Sequence, residues 1–107
     1  WGPAMRRVEL AAQFMVRQIE EPFALARVAH AAGCSERTLN ESFQRYLNLT
    51  PLQFHRHCRL EAAYADLTRS RASVTEVALK YGFENLGRFA RAFRERFGIN
   101  PSEVPQP

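Results

Sequence analysis

Lysine is almost missing from this chain. Lys80 is the single lysine among 15 cationic residues, so the net charge of +4 and the pI near 9.7 come almost wholly from arginine. Cysteine is scarce too: Cys34 and Cys58 fall in an expected turn and mid-helix, with no CxxC and no clustered histidines. That argues against a zinc site or a disulfide scaffold and leaves both as small core or boundary residues. His30, His55 and His57 show no ligand spacing and are read as surface or boundary residues. No apolar run approaches a membrane span and there is no signal peptide, so a cytoplasmic protein with no membrane partner is expected. A Gly-rich phosphate loop, a nucleophile beside a plausible base and a pocket-forming carboxylate pair are all lacking. No catalytic residue, metal or cofactor is expected, and the chain is read as non-enzymatic.

What is present is concentrated in Gly82 to Pro101, GFENLGRFARAFRERFGINP. Phe89, Phe93 and Phe97 recur every fourth residue, which lays three rings along one stripe of a helix. Arg88, Arg91, Arg94 and Arg96 lie off that stripe with one acid, Glu95. Such a helix sits on a core by one face and meets something anionic with the other. The basic excess is also uneven: residues 1–53 hold six cations and five acids, residues 54–107 nine and six.

The pattern has an earlier copy. Leu25, Val28, Ala29 and Gly33 match Val74, Val77, Ala78 and Gly82 at an offset of 49; Leu39, Phe43, Leu47, Leu49 and Pro51 match Phe89, Phe93, Phe97, Ile99 and Pro101 at an offset of 50. The extra residue falls after the glycine, where a loop tolerates it. Each copy is a short apolar helix, a turn opened by Gly, a longer amphipathic helix and an exit through Thr-Pro or Asn-Pro. A short helix, a Gly turn and a second helix with a polar face make a helix-turn-helix, whose second helix enters a DNA major groove.

Taken from the start, Trp1-Gly2-Pro3 reads as the end of a linker. A first helix is expected from Ala4 to about Glu20, ended by Glu20-Glu21-Pro22. A short helix from Ala24 to about Ala32 leads into Gly33-Cys34-Ser35, where Gly supplies a positive φ and Ser35 a cap. The next helix, Glu36 to about Leu47, should bury Leu39, Phe43 and Leu47 and expose Arg37, Asn40, Glu41 and Gln44. Thr50, Pro51 and Gln53 form a capping box for a long helix to about Thr68. Roughly 18 residues span about 27 Å, close to the ~34 Å between major grooves on one DNA face once flanking helices add width. Arg59 within it is expected to pair with an acid. Ser73 and Glu76 start a further short helix by the same capping logic, and Asn100-Pro101-Ser102-Glu103 a last helical turn.

These residues resemble the DNA-binding domain of the AraC/XylS family of bacterial transcription regulators. The likeness runs from about Met5 to Glu103. It is carried most specifically by Ala78, Gly82-Phe83, Phe89, Arg91, Phe93, Phe97-Gly98 and Pro101-Ser102, with support from Ala29, Gly33-Cys34-Ser35, Leu39, Phe43, Pro51, Arg59-Leu60 and Ala63. The resemblance implies an all-α fold of about seven helices, with a first helix-turn-helix over 5–49, a joining helix over 50–69 and a second helix-turn-helix over 70–104. It implies sequence-specific binding of double-stranded promoter DNA by an activator, one helix of each motif in successive major grooves. RNA polymerase is the expected protein partner. A small-molecule effector would act only through an N-terminal sensor domain absent from this chain, which is expected to be monomeric because no apolar stripe is left over.

Carried over by position, the base readers are Arg37, Asn40 and Glu41 in the first motif and Leu86, Gly87 and Arg91 in the second. Arg91 fits guanine O6 and N7, and Arg37 and Asn40 could read guanine and adenine. The plainer reading is a phosphate clamp for Arg91 and a solvated helix face for Arg37 and Asn40. Expected phosphate contacts are Ser35, Thr38, Gln44, Arg45, Asn85, Arg88 and Arg94. Glu41 departs from the family, where arginine is usual: either it accepts from a base donor such as the cytosine amino group, or it weakens the first reader. The alternative is a helical module that binds a protein such as polymerase through the same faces; a flat salt response would favour it.

Overall fold

Four of the six helices among the described residues start where a side chain replaces a missing backbone partner. The computed structural model describes residues 2–107; Trp1, read above as part of a linker end, lies outside the described residues. Six α-helices follow one another: α1 (Pro3–Arg17), α2 (Leu25–Ala32), α3 (Glu36–Leu47), α4 (Pro51–Arg69), α5 (Val74–Lys80) and α6 (Leu86–Phe97), with a closing 3₁₀ turn at Pro101–Glu103. No strand occurs among the described residues. Pro3 occupies the first turn of α1 rather than a linker, a place where its missing N–H has no helical use. The Thr50 hydroxyl accepts from the Gln53 N–H at 3.1 Å and Gln53 Oε1 accepts from the Thr50 N–H at 2.9 Å, which is the reciprocal box that starts α4. Ser73 Oγ accepts from the Glu76 N–H at 3.1 Å to start α5.

The chain divides into two compact units, the first ending at Arg56 and the second beginning at His57, inside α4. In the first, α1 packs on α2 and α3 around Val8, Ala11, Met15, Val28, Ala29, Ala32, Leu39 and Phe43, with Phe54 edge-on to Phe43 at 5.6 Å between ring centres. α1 stops at Arg17, short of the expected Glu20. Glu20 and Glu21 are acids at the negative end of the helix dipole, and Pro22 drives Glu21 away from helical backbone, so residues 18–20 form a turn instead. Leu47 corrects the expected stripe on α3: Leu39 and Phe43 are fully buried, but Leu47 is 39% exposed. A four-residue repeat overshoots the 3.6-residue turn, so each step rotates a side chain further around the helix and the third leaves the core. His55 is a second correction. It is buried, not at the surface, with its ring 5.2 Å from that of Phe23.

In the second unit Leu60, Ala63, Leu67, Val77, Ala78, Tyr81, Phe89 and Phe93 are buried. Tyr64 stacks on Phe93 at 5.9 Å and meets Phe97 at 4.8 Å, which fixes α6 against the later turns of α4. Phe89 and Phe93 have no exposure, while Phe97 is half-buried, the same rotation seen at Leu47. A polar tie holds α5 to α4: Asp66 Oδ2 accepts from Lys80 Nζ at 2.9 Å and from Tyr81 Oη at 2.7 Å. Burial works to raise the Asp66 pKa, but the hydrogen bonds from Lys80 and Tyr81 outweigh it and hold the carboxyl below its ordinary value. Burial, then the bond to Asp66, pushes the Tyr81 phenol up. Arg59 donates from Nη1 to the Tyr81 carbonyl at 2.7 Å, and its partly buried guanidinium lies over Gly82.

Candidate nucleic-acid interface

The two turns that aim α3 and α6 use the same backbone device. After α2, Gly33 takes φ +71° and its N–H donates to the His30 carbonyl at 3.0 Å, while the Cys34 N–H reaches the Ala29 carbonyl at 3.1 Å. After α5, Gly82 takes φ +82°, its N–H donates to Leu79 at 3.1 Å, and the Phe83 N–H reaches Ala78 at 2.9 Å. Both are the paired closure that ends a helix in left-handed backbone. Caps then restart the chain. Ser35 Oγ accepts from the Thr38 N–H at 3.1 Å, and Asn85 Oδ1 from the Arg88 N–H at 2.9 Å. The second turn is longer by Glu84, which is where the repeat offset changes from 49 to 50. The geometry is that of a helix-turn-helix written twice.

On α3 the residues opposite the buried stripe are exposed together: Arg37, Asn40, Glu41, Gln44 and Arg45. Arg37 Nε donates to Glu41 Oε1 at 3.1 Å, with the two side chains 89% and 66% exposed. Gln44 Nε2 donates to Asn48 Oδ1 at 2.7 Å, and the Arg45 guanidinium stands 5.4 Å from the Tyr46 ring centre. Ser35 is exposed at the helix start, but Thr38 is half-buried and its hydroxyl accepts from Ser35 Oγ at 3.0 Å.

On α6 the exposed residues are Asn85, Leu86, Gly87, Arg88, Arg91, Arg94, Glu95 and Arg96. Leu86 is 43% exposed at the first position of the helix. Arg91 Nε donates to Glu95 Oε1 at 3.2 Å. Arg94 is drawn toward the helix exit, where Nη1 donates to Asn100 Oδ1 at 2.8 Å, and Arg96 Nη2 donates to Glu61 at 2.9 Å. Arg88 lines an open depression with Gly82, Phe83, Glu84 and Asn85. That leaves Arg88 and Arg91 as the cations on the N-terminal half of α6.

Sequence reasoning missed the ion pairs within α3 and α6, although Arg37/Glu41 and Arg91/Glu95 stand at the i, i+4 spacing that announces them. It also missed Arg59 as the side chain that holds the second turn. Its partner there is a backbone carbonyl, which no sequence pattern marks.

A family described as a helix-turn-helix domain matches residues 28–106. The chain is 38% identical over 106 residues to the XylDLEGF operon transcriptional activator 2 of Pseudomonas putida, covering 96% of this chain and 66% of that protein. It spans only 32% of the length of a longer activator of the same operon. Among solved structures, a probable AraC family transcriptional regulator from Rhodopseudomonas palustris superposes with a TM-score of 0.85 at 32% identity, over 92% of this chain and 93% of that one. The DNA-binding domain of AdpA, a global transcriptional factor solved in complex with a target DNA, superposes with a TM-score of 0.77 at 28% identity, over 91% of this chain and 86% of that one. With two capped helix-turn-helix motifs and these relatives along almost its whole length, the chain belongs to the AraC-type family of helix-turn-helix domains.

Proposed function

We propose that this chain binds double-stranded promoter DNA as the DNA-binding domain of a transcription activator, with α3 and α6 in successive major grooves. The observation that carries the reading is the shared form of the two helices. Each is aimed by the same left-handed turn and a side-chain cap, buries a side that includes phenylalanine, and turns an unburied polar side outward. AdpA's domain, similar over most of this chain, is bound to its target DNA.

In this reading Arg91 donates to guanine O6 and N7, Asn40 pairs with adenine, and Arg37 and Glu41 meet base edges from α3. Leu86 suits a thymine methyl group, and Gly87, with no side chain, lets the start of α6 lie close to the DNA. Ser35, Thr38, Gln44, Arg45, Asn85, Arg88 and Arg94 hold phosphates and set the register. No reaction is assigned to the chain. RNA polymerase is the proposed protein partner, effector sensing belongs to a separate part of a longer protein, and this segment alone is a monomer that acts in the cytoplasm.

Selection of bound duplexes from a random pool at moderate salt tests the reading. Two short enriched blocks about one helical turn apart are expected. Neutralising about six phosphates gives a log-log salt slope near −5. No enrichment together with a flat salt response would replace this function with protein binding through the same faces.

A further inference from the structure

The two reader helices carry opposite charge at the same place. The sixth residue after the cap is Glu41 on α3, counted from Ser35, and Arg91 on α6, counted from Asn85. Both are well exposed, and both are held by an ion pair one helical turn away, but in opposite directions. Glu41 is paired back toward the helix start, to Arg37; Arg91 is paired forward, to Glu95. The residue one turn before Arg91 is Gly87, so α6 has no counterpart of Arg37.

An acid on a groove-facing helix is repelled by phosphates unless its charge is balanced, and Arg37 balances it. The pair uses only part of each group. Arg37 contributes Nε and keeps both terminal nitrogens; Glu41 contributes Oε1 and keeps Oε2. Neither side chain has another partner among the described residues. What remains is one acceptor from Glu41 and two terminal donors from Arg37. In the major groove a C·G pair presents one donor, the cytosine N4 amino group, followed by two acceptors, guanine O6 and N7. An A·T pair presents acceptor, donor, acceptor, which would put the guanidinium and the carboxylate each against a like partner at one point.

We propose that Arg37 and Glu41 act together as the reader of a single C·G base pair, Glu41 accepting from cytosine N4 and Arg37 donating to guanine. This rests on α3 being the groove helix of the first motif. The two copies of the motif therefore read different blocks: the first through the Arg37–Glu41 pair beside Asn40, the second through Arg91 beside Leu86.

The test is duplex selection with the wild-type chain and with Glu41→Ala, Glu41→Gln and Arg37→Ala, followed by equilibrium binding to the selected duplex with the assigned C·G changed to T·A. In the wild type that change should weaken binding about 5- to 150-fold, the discrimination of one good base contact. Glu41→Ala and Arg37→Ala should each erase the preference at that position while the α6 block is selected as before, which also shows that the variants are folded. Glu41→Gln should shift the preference toward adenine, which glutamine pairs through N6 and N7. If Glu41→Ala tightens binding to every duplex with all base preferences intact, Glu41 is only a repelling charge and the proposal fails. If the wild type selects two blocks with no position that depends on Glu41, this proposal alone fails. If it selects nothing, the DNA-binding reading fails with it.

Discussion

Alanine at Gly82 should destabilise the chain far more than alanine at Gly33, although the two glycines hold equivalent turn positions. Both have positive φ, +82° and +71°. An L-residue in left-handed backbone costs about 1 to 2 kcal/mol. At Gly33 a Cβ would meet nothing within 4 Å, so that is the whole effect. At Gly82 a Cβ would overlap Arg59 Nη1 and lie 3.1 Å from its Cζ. Arg59 is long enough to swing aside, but it would then give up its hydrogen bond to the Tyr81 carbonyl. A bond from a charged donor contributes about 1.5 to 3 kcal/mol. Gly82→Ala should therefore cost about 2.5 to 5 kcal/mol and Gly33→Ala about 1 to 2. Urea unfolding followed by helical circular dichroism measures both, and hydrogen exchange at α5 and α6 amides reads the Gly82 effect within its own unit. The decisive arm is Gly82→Ala on an Arg59→Ala background, a double-mutant cycle that isolates the steric term. There the cost should fall to that of Gly33→Ala. Equal costs for the two glycines, or an excess at Gly82 that survives removal of Arg59, would refute the reasoning.

Two further outcomes follow from side chains already placed. Asp66 has a lowered folded pKa, so its contribution is fully present above the ordinary carboxylate range and is lost as pH falls through the folded value. The second unit should lose stability on acidification, and Asp66→Asn should flatten that acid limb; urea midpoints from about pH 3 to 7 check it, and parallel profiles for the two proteins would remove Asp66 from the account. On α6, Arg91→Ala should lose discrimination at one base pair, whereas Arg94→Ala, whose guanidinium is held toward Asn100, should weaken all duplexes alike. Equal losses on cognate and scrambled DNA for Arg91→Ala would take away its role as a reader.

The devices that build the turns were legible because they are local. Gly33, Gly82, Ser35, Ser73 and the Thr50–Gln53 box act on backbone within a few residues, and a residue type at a fixed spacing announces each of them. Leu47 and Phe97 were legible only in part, since the four-residue repeat names a stripe but not where rotation carries it out of the core. His55 was not read as buried because its cover is Phe23, 32 positions earlier, a contact that no local spacing announces. The same separation hid Arg59, whose acceptor is the carbonyl of Tyr81.

That contrast explains what duplication kept and what it let go. A turn and a cap work only if their backbone geometry is reproduced, and both copies reproduce it to within a few tenths of an ångström in their closing hydrogen bonds. The outward face has no such constraint, because exposed substitutions shift stability by only about half a kcal/mol. Glu41 and Arg91 could therefore take opposite signs on helices that are otherwise interchangeable as scaffolds. A protein built from two copies of one motif is then free to read two different DNA blocks. On the proposed reading, its specificity resides in the residues that contribute least to its fold.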